Sequence, residues 1–261
     1  MITLKTPAQM AKMREAGRVV ATMLEACRAA VHPGVTTAEL DRVAAEVLRK
    51  AGATSSFLGY STPPYPATIC TSVNEEIVHG IPSAKRRLRE GDIVGIDAGA
   101  IVDGWHADAA ITVPVGKISP DAAKLIRVTE QAPRVGIGAA KVGGRIGDIG
   151  AAVEEYVRAQ GFSIVQNYVG HGIGRAMHED PQVPNYRPTK GQPNPPISEG
   201  LCIAIEPMVN VGGAETRTLP DRWTVVSADR SLSAHFEHTL ACTAAGPVVL
   251  TRAGEGAAVA A

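Results

Sequence analysis

The 261-residue sequence has no net charge, few cysteines and no long apolar run. Its 26 lysines and arginines balance 26 aspartates and glutamates, so no overall field attracts nucleic acid or an anionic membrane. Nowhere do about 18 apolar residues follow one another, as a membrane-spanning helix would require. The N-terminal stretch "MITLKTPAQMAKMREAG" contains no apolar segment of signal-peptide length. These absences predict a cytoplasmic protein without a membrane partner or a specific nucleic-acid partner.

The cysteines are the second scarce feature. Cys27, Cys70, Cys202 and Cys242 lie far apart and form no CxxC pair. In a chain without a secretion signal, this spacing favours reduced thiols over a disulfide framework.

Start and stop signals predict four helices. Thr6-Pro7 begins the first, which we expect to reach Ala30, because proline suits the first helical position. Thr36 and Glu39 form a capping box for the second helix, and Gly52 ends it. Ser119-Pro120 begins the third helix. The fourth should run from about Asp148 to Gln160.

Strand-like runs lie between and after these helices: "TICTSV", "DIVGIDAGAIV", "WHADAAITVPV", "LCIAIEPMV", "WTVVSA" and "HFEHTLACT". The second helical segment also matches the fourth when it is shifted by 109 residues, with Gly34 on Gly143 and Gly52 on Gly161. Such a repeat predicts two similar halves. Hairpin connections indicate a largely antiparallel sheet covered by helices, which is an α+β fold. No linker divides the chain, so we expect one domain over residues 1–261.

Two of these runs carry aspartates where strands are usually poor in them. Asp103-Gly104 predicts a two-residue turn, which pairs Val102 with Trp105 and places Asp97 opposite Ala110. Asp97 and Asp108 then share a face as diagonal neighbours, about 7–8 Å apart at the backbone. Two ionised carboxylates in one space repel each other unless they share a proton or hold a cation. On this stretch alone, two solvated aspartates on an exposed hairpin explain the pattern equally well.

Other segments supply further metal-ligand types. His171 stands between glycines in "YVGHGIGRAMHEDP", Glu206 ends an apolar run before Pro207, and Glu237 interrupts another. With Asp97 and Asp108 they make four carboxylates and one imidazole, a set that needs compensating positive charge if it is buried. Two divalent cations bridged by carboxylates would supply that charge and suit hydrolysis. The donor atoms favour Mn²⁺, Fe²⁺ or Co²⁺, and they also allow Zn²⁺.

The motifs "SVNEEIVHGIP", "IDAGAIVDGWHADAAITVPVG", "GHGIGRAMHEDP", "IAIEPMV" and "FEHT" resemble, in order and near spacing, those of type I methionine aminopeptidases. The resemblance runs from about residue 3 to residue 252. It implies the pita-bread fold of the M24 metallopeptidases, a pseudo-twofold α+β domain. It also implies a dinuclear enzyme that removes the N-terminal methionine from nascent proteins when the second residue is small.

The resemblance assigns roles to individual residues. Asp97 resembles the bidentate ligand of the first metal, Asp108 and Glu237 the bridging carboxylates, and His171 and Glu206 ligands of the second metal. Glu206 would also carry a proton to the leaving amine. His178 would stabilise the tetrahedral oxyanion, and His79 would orient the scissile amide. The pocket for the methionine side chain is expected to contain five further residues: Tyr65, Cys70, Met177, Met208 and Trp223.

Two departures from the family pattern concern substrate recognition. The segment "YSTPPYPATIC" brings Thr62, Pro63 and Pro64 to the pocket rim, and Met177 replaces an aromatic residue of some members. The resemblance implies nascent polypeptides as partners, leaves transient ribosome association open, and is compatible with a monomer.

Two alternatives remain at this stage. An Xaa-Pro peptidase of the same fold usually carries an extra N-terminal domain, for which this length leaves no room. A binding protein that has lost its metals is disfavoured because all five candidate ligand residues are present.

Overall fold

Four helices are present in the computed structural model, which describes residues 1–252. They are α1 (Pro7–Ala30), α2 (Thr37–Ala51), α3 (Pro120–Ala139) and α4 (Ile146–Ala159). Thr6 and Gln9 form one capping box, and Thr36 and Glu39 form another. The predicted first three helices are confirmed, and the fourth begins two residues earlier than expected. No helix among residues 1–252 is long and apolar enough to cross a bilayer.

Fifteen short strands complete the described chain. They are β1 (Thr54–Ser55), β2 (Ile69–Val73), β3 (Glu76–Val78), β4 (Ile93–Val102), β5 (Trp105–Pro114), β6 (Ser163–Ile164), β7 (Gly170–Gly172), β8 (Glu179–Val183), β9 (Cys202–Ile205), β10 (Met208–Asn210), β11 (Thr216–Thr218), β12 (Val225–Ser227), β13 (Ser233–His235), β14 (His238–Thr243) and β15 (Gly246–Val249). The strand pairs are antiparallel, as predicted.

The sheet is divided into four smaller sheets. One contains β1, β4, β2 and β5, and the largest runs in the order β15-β14-β9-β7-β8. The other two are three-stranded, β13-β10-β6 and β11-β12-β3. The sequence favoured one sheet shared by the two halves, and this expectation was wrong. Two of the strand-like runs, those containing Glu206 and Glu237, are each divided between two different sheets.

The helices form two pairs that pack against opposite parts of these sheets. The pair α1 and α2 contacts the β4–β5 region through a buried cluster that includes Leu40, Val94 and Ile96. The pair α3 and α4 buries Leu125 and Val153 in another cluster. Each such fully buried aliphatic side chain contributes about 1.5–3 kcal/mol. The helices α2 and α4 begin 109 residues apart, as the repeat predicted.

Candidate metal centre

The β4–β5 hairpin brings Asp97 and Asp108 to one face. Asp103 and Gly104 both have positive φ, 50° and 73°, which a two-residue hairpin turn requires. The register pairs Val102 with Trp105 and Asp97 with Ala110. The prediction from the sequence is confirmed, and side-chain alternation then directs both aspartates to the same side of the sheet.

Glu206 and Glu237 lie in two breaks that face each other. Ile205, the last residue of β9, pairs with His238 of β14, and Met208 of β10 pairs with His235 of β13. Each predicted run is therefore two strands in different sheets, and the expectation that Glu237 lies within a strand was wrong. Pro207 cannot donate a hydrogen bond to a ladder, which is one physical reason for the first break.

His171 occupies the middle of β7, between β8 and β9. A Cβ atom at Gly170 would lie 2.3 Å from the carbonyl oxygen of Ala204, and one at Gly172 would lie 2.2 Å from that of Asp180. Only glycine fits at these two positions. The Nδ1 atom of His171 lies 2.8 Å from the carbonyl oxygen of Gly172. Because a carbonyl can only accept, Nδ1 carries the proton and Nε2 keeps a lone pair for a metal.

The donor atoms converge in a buried space. The Nε2 atom of His171 lies 3.6 Å from Oε1 of Glu206 and 3.9 Å from Oδ2 of Asp108. Ligand atoms of Asp108, His171 and Glu237 all lie within 4.8 Å of one another. These three residues are 4%, 6% and 2% exposed. The spacing is close enough for the side chains to share cations.

The electrostatics of the cluster also call for a cation. Burial raises the pKa of Asp97 to about 7. Burial and the neighbouring carboxylates raise the pKa values of Asp108, Glu206 and Glu237 well above the ordinary range. Buried oxygens of Asp97, Asp108 and Glu237 have no hydrogen-bond partner. Unpaired buried carboxylates are costly, and divalent ions would satisfy their charge and their lone pairs together. The donor set therefore fits divalent metal ions.

A cavity of about 140 Å³ opens directly onto this cluster. Tyr65, Cys70, Met177 and Trp223, which the family resemblance assigns to the methionine pocket, line its wall together with Phe57. These side chains give the cavity an apolar wall beside the carboxylates. Tyr65 lies edge-on to Trp223 with ring centroids 5.0 Å apart.

The fifth predicted pocket residue, Met208, is not among the lining residues. Its side chain is 1% exposed and packs in a separate cluster with Ile77, Val78, Val165 and Val225.

His79 and His178 lie at the cavity outside the carboxylate set. His79 has a left-handed backbone with φ 61°, uncommon for a residue other than glycine. Burial, with a smaller effect of His178, lowers the pKa of His79 to about 4. The Nδ1 atom of His178 lies 2.6 Å from the hydroxyl of Tyr60. This hydrogen bond fixes the orientation of the ring and leaves its Nε2 atom for other contacts.

Besides Phe57, the structure adds Tyr60 and His235, which sequence reasoning missed. Tyr60 lines the cavity and contacts His178, and His235 is 3% exposed beside Glu206 and Glu237. His235 stands two residues before Glu237, so its position next to a candidate ligand was the available signal. Tyr60 had none, because its partner is 118 residues away in the chain.

Comparison with known proteins defines the class to which this fold and cluster belong. Residues 11–244 match metallopeptidase family M24, and the chain belongs to that family. It is 48% identical over 252 residues to a methionine aminopeptidase of Clostridium acetobutylicum, covering 96% of this chain and 99% of that one. The predictions of an M24 metallopeptidase and of a metal-dependent aminopeptidase are confirmed.

Solved structures agree with this assignment. The crystal structure of methionine aminopeptidase from Thermotoga maritima has a TM-score of 0.92 and 40% identity, covering 97% of this chain and all of that one. Prolidase from Pyrococcus furiosus has a TM-score of 0.75 at 21% identity, and the match covers 97% of this chain and 66% of the prolidase. The prolidase shares the fold alone. The predicted pita-bread fold is confirmed.

Proposed function

We propose that this protein hydrolyses the first peptide bond of polypeptides that begin with methionine and carry a small second residue. The observation that carries the proposal is the junction of a buried carboxylate–histidine cluster with a small apolar cavity. The chain's near full-length similarity to methionine aminopeptidases supports the same activity.

The proposed centre holds two divalent ions, with cobalt, manganese, iron and zinc as the candidates. Asp97 would bind the first ion with both oxygens, His171 and Glu206 would bind the second, and Asp108 and Glu237 would bridge the two. The unpartnered oxygens of Asp97, Asp108 and Glu237 support these roles. Divalent ions supply Lewis acidity, which polarises a carbonyl and lowers the pKa of water toward neutrality.

The side chains around the cluster would handle the proton and the developing charge. Glu206 would take a proton from the attacking water at its carboxylate and pass it to the leaving amine. The Nε2 atom of His178 would stabilise the oxyanion, since Tyr60 occupies its Nδ1 atom. His79, which lines the same cavity, would orient the scissile amide.

Specificity for methionine would come from the apolar cavity wall. Tyr65, Cys70, Met177 and Trp223 offer aromatic and sulfur surfaces, and thioether–aromatic contacts contribute about 0.3–1.5 kcal/mol. The hydroxyl of Tyr65 shares its single proton between the carbonyls of Gly80 and Ile69, at 2.9 Å and 3.1 Å, so its ring is fixed and its polar tip is satisfied. The second substrate residue would pass close to the metals and His79. We therefore expect Ala, Gly, Ser, Thr, Pro, Cys or Val there.

Methionine release from a Met-X-Ser peptide series, with metal analysis of the same sample, tests the activity. Met-Ala-Ser should be cleaved much faster than Met-Leu-Ser or Met-Arg-Ser. Equal rates across the series would contradict the specificity. Faster cleavage of Ala-Pro-Ser would instead identify an Xaa-Pro peptidase.

Variants of the site separate ligands from substrate contacts. Asp97→Asn and His171→Ala should each lose metal and nearly all turnover. His79→Ala and His178→Ala should keep the metal while turnover falls by about 10²–10³, the usual cost of losing an oxyanion donor. If a His79 or His178 variant loses metal as completely as His171→Ala does, that histidine is a metal ligand and not a substrate contact.

We also propose a cytoplasmic location, which the proposed substrates support because nascent chains appear there. Transient association with the ribosome and a monomeric state remain predictions, for which ribosome co-sedimentation and analytical ultracentrifugation are the measurements.

A further inference from the structure

His235 is a buried imidazole with an unsatisfied nitrogen next to the metal centre. Its side chain is 3% exposed, and its Nε2 atom has no hydrogen-bond partner. Thr112 binds both polar backbone groups of His235. The hydroxyl of Thr112 accepts from the N–H of His235 and donates to the carbonyl oxygen of His235, at 2.9 Å each. The ring is therefore presented from a fixed point of β13.

The Nε2 atom lies 4.0 Å from Oε2 of Glu206 and 4.0 Å from Oε2 of Glu237. That distance exceeds the 2.7–3.2 Å of a direct N–H···O hydrogen bond. A buried donor or acceptor left unpaired costs about 1–3 kcal/mol, so a fixed unpaired nitrogen here needs a reason. A direct hydrogen bond would require the ring or either carboxylate to shift by about 1 Å.

The orientation of the two glutamates shows which of their oxygens lies nearer to His235. Oε1 of Glu206 faces His171, whereas its Oε2 faces His235. Oε1 of Glu237 is buried without a partner, whereas its Oε2 faces His235. One oxygen of each glutamate thus faces His235, whereas the other oxygen of Glu206 faces His171 and the other oxygen of Glu237 is unpaired.

The neighbouring carboxylates determine whether the Nε2 atom of His235 carries a proton or a lone pair. A bare nitrogen lone pair beside two carboxylates is repelled, whereas an N–H group is attracted. Outer groups that hydrogen-bond metal-ligating carboxylates fix the orientation of those ligands and tune the metal.

We propose that His235 is a positioning residue of the metal centre, whose Nε2–H donates to Oε2 of Glu206 and Glu237 and so directs their Oε1 atoms to the cations. The inference rests on the proposed function, because it takes both glutamates as metal ligands. It assigns His235 no contact with substrate and no direct bond to metal.

Replacements at this one position separate the hydrogen bond from packing and from direct ligation. His235→Leu fills the space without an N–H group, and His235→Gln keeps a donor on a side chain of similar length. His32→Leu, at an exposed histidine after α1, is the matched control for loss of an imidazole. Affinity for Mn²⁺ is measured by calorimetric titration of each metal-free protein, and circular dichroism verifies folding.

We expect His235→Leu to bind Mn²⁺ about 10–100-fold more weakly, as is typical when an outer hydrogen-bonding partner is lost. His235→Gln and His32→Leu should bind as the unmodified protein does. If His235→Leu does not fold, His235→Ala removes the same N–H group without adding a branched side chain.

Two results would overturn the inference. Unchanged Mn²⁺ affinity in His235→Leu would show that no hydrogen bond supports the glutamates. An equal loss in His235→Gln and His235→Leu would show that the imidazole itself is required, as a direct ligand would be. His171→Ala, titrated in parallel, tests the underlying assignment separately: if it keeps full affinity, the proposed metal ligands are wrong whatever the His235 variants do.

Discussion

Replacing Gly172 with alanine tests whether the backbone around His171 must be glycine for the metal centre to form. A Cβ atom at this position would lie 2.2 Å from the carbonyl oxygen of Asp180 and 2.6 Å from its carbonyl carbon. Real Cβ contacts essentially never fall below 3.0 Å, so β7 and β8 would have to separate by roughly 0.8 Å. Both obstructing atoms are backbone, and no rotamer change can relieve the clash.

The cost should appear in stability and in function. Overpacking of a well-packed interior costs about 1–3 kcal/mol, which sets the expected loss in the free energy of unfolding. The same shift moves His171, which immediately precedes Gly172 on β7. A misplacement of about 1 Å in an active site can reduce the rate by about 10²-fold. We therefore expect weaker metal binding and a comparable fall in methionine release.

Gly138→Ala is the matched control, because it makes the same chemical change where a Cβ atom meets nothing within 4 Å. Gly138 lies in α3, where alanine should be neutral or stabilise by about 0.4–1 kcal/mol. Urea unfolding, Mn²⁺ titration and methionine release would be measured on both variants. Wild-type values for Gly172→Ala in all three measurements would refute the steric argument.

Three further predictions concern individual side chains. Tyr60→Phe should lower kcat by up to about tenfold with little change in KM, because it removes one hydrogen bond to His178, typically worth about 0.5–1.5 kcal/mol; an unchanged kcat would contradict the role of that bond. Cys27 should resist thiol reagents in the folded protein at pH 8, because burial raises its pKa to about 12 and the thiolate is the reactive form; peptide mapping after brief alkylation should find it labelled only in urea. Burial acts to raise the pKa of Glu179, but hydrogen bonds from Lys5 and Thr3 outweigh it and lower that pKa below its ordinary value of 4.5. The resulting stabilisation is present above pH 4.5 and is lost as the pH falls. Glu179→Gln should therefore lose less stability than the unmodified protein between pH 5 and pH 3. Equal losses of both proteins in urea unfolding would exclude this contribution.

The helices and the central hairpin could be predicted from the sequence because their signals are local. The capping box of Thr36 and Glu39 joins atoms three residues apart, and the turn at Asp103-Gly104 depends on the φ values of two adjacent residues. That turn sets the register, and the register alone places Asp97 and Asp108 on one face. The residue types of the proposed metal centre could likewise be predicted from the sequence, because carboxylate and imidazole donors together suit divalent transition-metal ions.

The breaks in the strands were decided by tertiary structure. The run containing Glu206 reads as one apolar strand, yet its two parts pair with β14 and β13 in different sheets. Glu237 lies across from that break because its own run is divided between β13 and β14, which pair with β10 and β9. Pairing between segments about 30 residues apart depends on how the sheets pack, and hydrophobicity along one segment does not specify it.

The neighbours of the site were also decided by the fold. The family resemblance assigned Met208 to the methionine pocket, but the strand that begins there directs its side chain into a separate core cluster. Tyr60 and His178 meet across 118 residues, and His235 meets Glu206 only because β10 and β13 pair. Sequence determined which groups could bind a metal, since that is a property of side-chain chemistry. Only the tertiary structure decided which imidazoles and carboxylates share a buried space, because that depends on contacts between strands far apart in the chain.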